Sequence, residues 1–266
     1  MEVACVLDSR SGHNQLVSVF EHPTSETSQV LVDDAELAQH LRGERLAAAI
    51  RECTARTIHL PAGPWTPPEQ YDNMRFGIGL LILDGLVVRR VGVAGRFGAE
   101  LLGDGDMLRP WHQDDGSTTL PRTGRWRTLR PSRLAVLDSD FALRVTRYPE
   151  VMSTLFGRAL KRSRHIAVNM AIVQQPRIDL RLHMLFWELA DRWGKVRQDG
   201  VHVPLYLTHS TLADLVAARR PTVTKALGEL AERSTVMWTG EDWLLPGDPP
   251  DELHAVGAVS LPAAAP

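Results

Sequence analysis

Only two cysteines, Cys5 and Cys53, occur among 266 residues. Two thiols cannot build a disulfide framework and fall short of the four thiolates that hold an iron-sulfur cluster, so both are expected to be small buried or incidental side chains. Long apolar runs are missing too. None approaches the ~18 residues of a membrane span, and the start, MEVACVLDSR, has no basic segment followed by an apolar one. A cytoplasmic protein with no membrane partner is expected. Excess charge of one sign is also lacking: the formal net charge is -2, so any contact with nucleic acid must come from a local basic patch. Although there are 10 histidines, His-x-His occurs nowhere. The compact ligand set that a metal-dependent cupin enzyme needs is therefore absent, and no cofactor, metal or catalytic residue is assigned. His59 and His112 both fall in a β-rich stretch and could meet in space, although a lone histidine there is more often hydrogen-bonded or exposed. Haem ligation by a histidine stays open.

What is present suits a globular chain of more than one folding unit. Its length exceeds the ~100 to 200 residues of a typical domain, and 44% hydrophobic and 23% charged residues can build a large core. In DDAELAQHLRGERLAAAIREC, Asp33 or Asp34 can cap a helix and Gly43 is expected to split it in two. From Thr57 to Asp138 short β-type runs alternate with Gly and Pro, as in a sandwich or barrel. LLILDGLVVRRV reads as a hairpin turning at Asp84-Gly85. VHVPLYL reads as a brief strand after a polar connection, GKVRQDG.

After Pro149 the pattern is helical. Met152, Leu155, Ala159, Arg162, Ile166, Asn169 and Val173 recur at spacings of 3 and 4, a seam suited to a second helix, with the two polar members able to fix register. Packing within its own domain is the competing reading of that helix. Farther on, LTHSTLADLVAARRPTVTKALGEL holds a compact message. Thr208 can cap a helix, and Leu207 can staple onto Leu212. After a turn at Ala217 to Arg220 a second helix begins, because Pro221 is tolerated in a first turn but not deeper. Its inner face is Val223, Ala226, Leu227 and Leu230; its outer face is Arg220, Thr222 and Lys225, with Arg219 and Thr224 at the edge. No acid occurs between residues 215 and 228. Arg and Lys can donate to guanine N7 and O6, and threonine can touch phosphate or a thymine methyl. A solvated polar face is the alternative. VMWTGEDWLL then supplies the two strands of a wing.

This order of elements resembles the Crp/Fnr family of transcription regulators. The resemblance covers about residues 30 to 247, strongly over 207 to 245, and FGIGLLILDGLVVRR and LLGDGDM match the family's roll strands and Gly-Asp turn. It implies an α+β chain: a cupin-like β-roll sensor domain with N-terminal helices over 1–148, a dimerisation helix over 149–176, a winged helix-turn-helix over 177–247 and a flexible tail over 248–266. By the same resemblance the partners are a two-fold operator in double-stranded DNA, a second copy of the chain and a small-molecule effector. Arg219, Arg220, Thr222, Thr224, Lys225, Thr208 and Ser210 would contact DNA, and Met152, Leu155, Ala159, Ile166 and Val173 would form the dimer seam. Pro221 stands where many members carry a base-contacting Glu, which removes an acceptor for cytosine N4 and implies a different operator. Thr211, Ala217 and Ser234 replace a capping Glu and two glycines, at a cost of a few tenths to ~1 kcal/mol each. Arg122 and Thr123 lie near the family's phosphate-binding pair, but Pro110 stands near the position of the ribose-binding Glu, so tight cyclic AMP binding is not expected. A small-molecule or metal-dependent cupin, with a winged helix used for protein contacts, is the alternative reading.

Overall fold

The computed structural model describes residues 26–67, 76–110 and 122–247, together with positions 120 and 249. Its first part is an antiparallel β-roll. Strands β1 (Thr27–Gln29), β2 (Thr54–Leu60), β4 (Gly79–Val93), β5 (Arg96–Gly103) and β7 (Arg122–Leu137) lie in the order β1-β2-β7-β4-β5, while β3 (Gly63–Trp65) adds to β7 and β6 (Met107–Leu108) to β4. The run Leu80–Leu83 is buried on both faces, which is why it does not alternate. Leu80 and Ile82 point into the roll with Val87, Leu102, Leu134 and Val136. Leu81 and Leu83 face Phe141, Val145 and Val151, on helices α3 (Ser139–Val145) and α4 (Pro149–Gln174).

Asp84-Gly85 is not a hairpin turn. β4 continues through it because β7 pairs with β4 from Gly79 to Val93, and register shifts between Ile82 and Val87 absorb the irregularity as a bulge. Gly85 takes φ +142°, and a Cβ there would lie 2.2 Å from Ser132 Oγ. The chain reverses instead at Ala94-Gly95, where φ values of +48° and +75° join β4 to β5 through the left-handed geometry of a tight hairpin turn.

The N-terminal helical segment is also assembled differently from the expectation. It comprises α1 (Val30–Asp33), a 3-10 turn (Ala35–Ala38) and α2 (Gly43–Glu52), with Gly43 at φ +56° dividing it as expected. Neither aspartate caps through its side chain. Asp33 takes both guanidinium donors of Arg133 at 2.9 Å, and Asp34 is held by Arg158. A buried-edge arginine offers a carboxylate more than an exposed N-terminal N–H does.

The C-terminal part is a winged helix. It comprises α5 (Ile178–Trp193), β8 (Lys195–Arg197), β9 (Gly200–Val203), α6 (His209–Leu215), α7 (Arg220–Glu232), β10 (Met237–Trp238) and β11 (Trp243–Leu245). A four-stranded sheet in the order β10-β11-β9-β8 backs the helices. β8 arises inside the segment read as a polar connection; its three exposed residues carry no apolar alternation, and pairing with β9 alone defines it. The α+β class and the order roll, long helix, winged helix-turn-helix hold.

Candidate nucleic-acid interface

Local chemistry shapes the helix pair. Thr208 Oγ1 accepts from Thr211 N at 3.2 Å, capping α6, and Leu207 and Leu212 are both buried in one cluster. At its end the N–H of Ala218 bonds the carbonyl of Ala213 at 2.9 Å, while Ala217 sits at φ +51°. Helix α7 ends the same way, with Thr235 N on Leu230 O at 2.9 Å and Ser234 at φ +52°. Both are Schellman closures with a non-glycine residue in the left-handed position.

Helix α7 buries Val223, Ala226, Leu227 and Leu230 and exposes Arg220, Thr222, Thr224 and Lys225, with Arg219 exposed just before it. Among the described residues neither Arg219 nor Arg220 has an ion-pair partner. Lys225 is 83% exposed and reaches Glu229 at 3.8 Å, one residue past the acid-free window, a pairing too exposed to hold the charge. Its first turn carries no acid, so the positive end of the helix dipole adds to the two arginines. Thr208 and Ser210, at the start of α6, are exposed on the neighbouring helix. Thr224 is exposed but not idle: its hydroxyl bonds His209 Nδ1 at 2.9 Å, tying α7 to α6. His209 has no periodic or motif signal, and sequence reasoning missed it. Arg181, equally silent, donates from α5 to Val216 O at 3.1 Å and so supports the bend.

The wing is anchored from beneath. His202, buried on β9, bonds Asp242 and Asp199 at 2.9 Å each. The Asp199 bond, seconded by Asp242, holds its imidazole above its ordinary pKa, while Thr239 and then His202 hold the Asp242 carboxyl below the usual range. Phe186 and Trp243 pack with ring centroids 4.7 Å apart, and Trp238 adds to the stack, 39% exposed.

The other named residues fare differently. Arg122 lies on β7 opposite Val93, its side chain outside the described ones, and exposed Thr123 lies opposite Gly92. His59 is exposed and bonds Glu26 at 2.9 Å, whereas His112, Cys5 and most of the tail lie outside the described residues. Cys53 is buried, and burial pushes its thiol up to about 11. Among the described residues no group of three His, Cys, Asp or Glu side chains could hold a metal ion, and no helix is long and apolar enough to cross a membrane.

On α4 the expected seam divides. Leu155 is spent in the roll's own core, Met152 and Val173 are half-buried, and Ala159 and Ile166 are exposed. Arg162 and Asn169 turn toward the chain's own roll: Arg162 Nη2 reaches Glu100 at 2.6 Å, and Asn169 Nδ2 reaches Ala99 O at 3.1 Å. The reason is rotation about the helix axis, since the inward stripe is Val151, Leu155, Arg158, Arg162, His165, Asn169 and Ile172. The exposed apolar positions lie one step on, at Phe156, Leu160 and Met170, 65%, 50% and 63% exposed.

Residues 180–245 match the Crp-like helix-turn-helix domain family. A CRP-like cAMP-activated global transcriptional regulator of Mycobacterium tuberculosis is 31% identical over 127 residues, 47% of this chain and 56% of the relative, so the chain spans about half the length of the curated relatives it matches. A CooA mutant from Carboxydothermus hydrogenoformans superposes with a TM-score of 0.57 at 16% identity, over 77% of this chain and 88% of that one. A cyclic nucleotide-binding domain containing protein from Listeria monocytogenes EGD-e does so with a TM-score of 0.57 at 14% identity, over 71% and 87%. Residues 180–245 are thus a Crp-like helix-turn-helix domain, in a chain that resembles the Crp/Fnr regulators and has their fold.

Proposed function

We propose that this protein is a sequence-specific DNA-binding transcription regulator that acts as a homodimer and answers to an effector other than cyclic AMP. One observation carries the DNA reading: Arg219 and Arg220, unpaired among the described residues, stand exposed with Thr222 and Lys225 at the start of a helix whose other face is buried. Arg220 is the base reader, able to donate to guanine N7 and O6, and Thr222, Thr224, Lys225, Thr208 and Ser210 hold backbone and register. Pro221 leaves no carboxylate to accept from cytosine N4. Two modules are needed because one neutralises few phosphates, and joining them raises effective concentration. The exposed residues Phe156, Leu160 and Met170 on α4 supply the surface that joins them. The case against cyclic AMP rests on Pro110 near the place of the ribose-binding Glu. Gel-shift titrations against promoter fragments at rising salt test the reading: a sequence-dependent complex that weakens steeply with salt supports it, and none at any salt sinks it.

A further inference from the structure

Beside the basic start of α7, the winged domain exposes two aromatic rings that its core does not use. Phe186 and Trp243 are buried in that core, and Trp238 lies against Trp243 with ring centroids 5.1 Å apart. Tyr206 adds a fourth ring, edge-on to Trp238 at 5.8 Å and 73°. Tyr206 is 76% exposed, so the row of rings runs from the interior out to solvent. An exposed Tyr–Trp pair offers a large apolar area with a polar tip, and these are the side chains that most often anchor interfaces.

The position of the pair indicates what lies opposite. From Pro204 to Thr208 burial alternates: Leu205 and Leu207 enter the core, while Pro204, Tyr206 and Thr208 face outward. Residues two apart in extended chain share a face roughly 7 Å from each other, so Tyr206 continues the surface on which Thr208 starts α6. Trp238 approaches from the other side, on β10, the edge strand that follows α7. Charge narrows the kind of contact. No lysine or arginine occurs between Arg197 and Arg219, or from Ser234 to Gly247. The wing's acids are Glu241, exposed at its turn, and Asp242, turned inward on His202. These two segments therefore set no Lys or Arg against a phosphate. What a duplex presents to a ring is the apolar edge of its sugars, between the phosphates that basic residues hold.

We propose that Tyr206 and Trp238 form a non-ionic shelf that packs against deoxyribose of the duplex just outside the bases read by α7. It adds affinity that salt does not screen, unlike the contacts of Arg219, Arg220 and Lys225. The inference rests on the reading of α7 as a DNA-binding helix.

The test uses the full chain and a duplex that it selects from a random-sequence pool, in two lengths. One is trimmed to the selected bases, and the other is extended by about ten base pairs, one helical turn, at each end. Anisotropy titrations at several salt concentrations give the affinity and its salt slope. Tyr206→Ala should weaken binding to the longer duplex about tenfold, leave the trimmed one unchanged and keep the slope. Trp238→Ala should act in the same direction and Trp238→Phe, which keeps a ring, should stay near the wild type. Tyr206→Lys should regain the lost affinity with a slope steeper by about 1. Tyr206→Ala decides alone if circular dichroism reports that Trp238→Ala is unfolded, because the Tyr206 ring is already largely in water. Wild-type binding of the longer duplex by Tyr206→Ala overturns the proposal and makes a protein the partner of the rings. Equal loss on both lengths also overturns it, since the contact would then lie within the bases read. So does a slope that falls when the ring is removed, or one that Tyr206→Lys leaves unchanged, which would place the surface away from the duplex. A wild-type chain that selects and binds no duplex sinks the DNA reading itself, whereas a complex indifferent to both rings sinks only this inference.

Discussion

At the residue scale, the identity of single side chains in the bend and on α7 carries the consequences. Ala217 and Ser234 sit at φ +51° and +52°, where a Cβ is strained and glycine is not. Ala217→Gly and Ser234→Gly should each raise stability by up to about 1 kcal/mol, seen as a higher urea midpoint with unchanged slope. Loss of stability in either would mean that the larger freedom of glycine in the unfolded chain outweighs the relief. Arg220→Ala should cost about 1–3 kcal/mol in operator binding and relax preference at one base pair. If every sequence weakened equally, Arg220 would be a phosphate contact rather than a base reader. These residues were legible in the sequence because their signals are local: a cap, a proline in a first turn, a run without acids. His209 and Arg181 were not, since each gains its role only from a partner 15 or 35 positions away.

At the element scale, the wing depends on a buried histidine between two carboxylates. The folded pKa of His202 is raised, so the stability it contributes is fully present below its ordinary value of about 6.5 and is lost as pH rises through the folded value. Asp199 and Asp242 are lowered, so their share is present above the ordinary carboxylate range and lost as pH falls through their folded values. The wing should be firmest between those limits. Tryptophan fluorescence from Trp238 and Trp243 should follow the alkaline loss, and His202→Gln should flatten it; an unchanged profile would assign the transition to another group. The wing strands were foreseen from VMWTGEDWLL, whose turn residues separate two apolar arms. The strand β8 was not, because a strand of three exposed residues has no pattern apart from its neighbour.

At the scale of the whole molecule, roll and winged domain are not beads on a string. Leu86, Val88 and Leu101 of the roll belong to the same hydrophobic cluster as Leu185, Leu212 and Val223 of the winged domain. Arg90 on the hairpin meets Asp214 on α6 at 3.1 Å, a pair buried enough that desolvation lifts the Asp214 carboxyl above its ordinary pKa. Helix α4 leaves Phe156 and Leu160 outside this shared core. A double variant Phe156→Glu, Leu160→Glu should shift the chain from dimer to monomer by analytical ultracentrifugation. DNA affinity should fall with it while the unfolding midpoint of the monomer moves little, because both side chains are already in water. A dimer that survived the change would place the contact elsewhere.

The local order of the chain determined the helix-turn-helix, its cap, its basic face and the wing, because a helix face and a tight turn are set by residues within a few positions of one another. Which face of α4 stays free, and where the β4 strand ends, were decided only by tertiary structure. Asp84-Gly85 has the better turn composition, but β7 offers hydrogen bonds along all of β4, and a bulge that keeps that ladder outweighs a turn that would break it. The polar stripe Arg158, Arg162, His165 and Asn169 turns inward for the same kind of reason: its partners, Asp34, Glu100, Glu188 and the carbonyl of Ala99, lie far along the chain and come within reach only once it has folded.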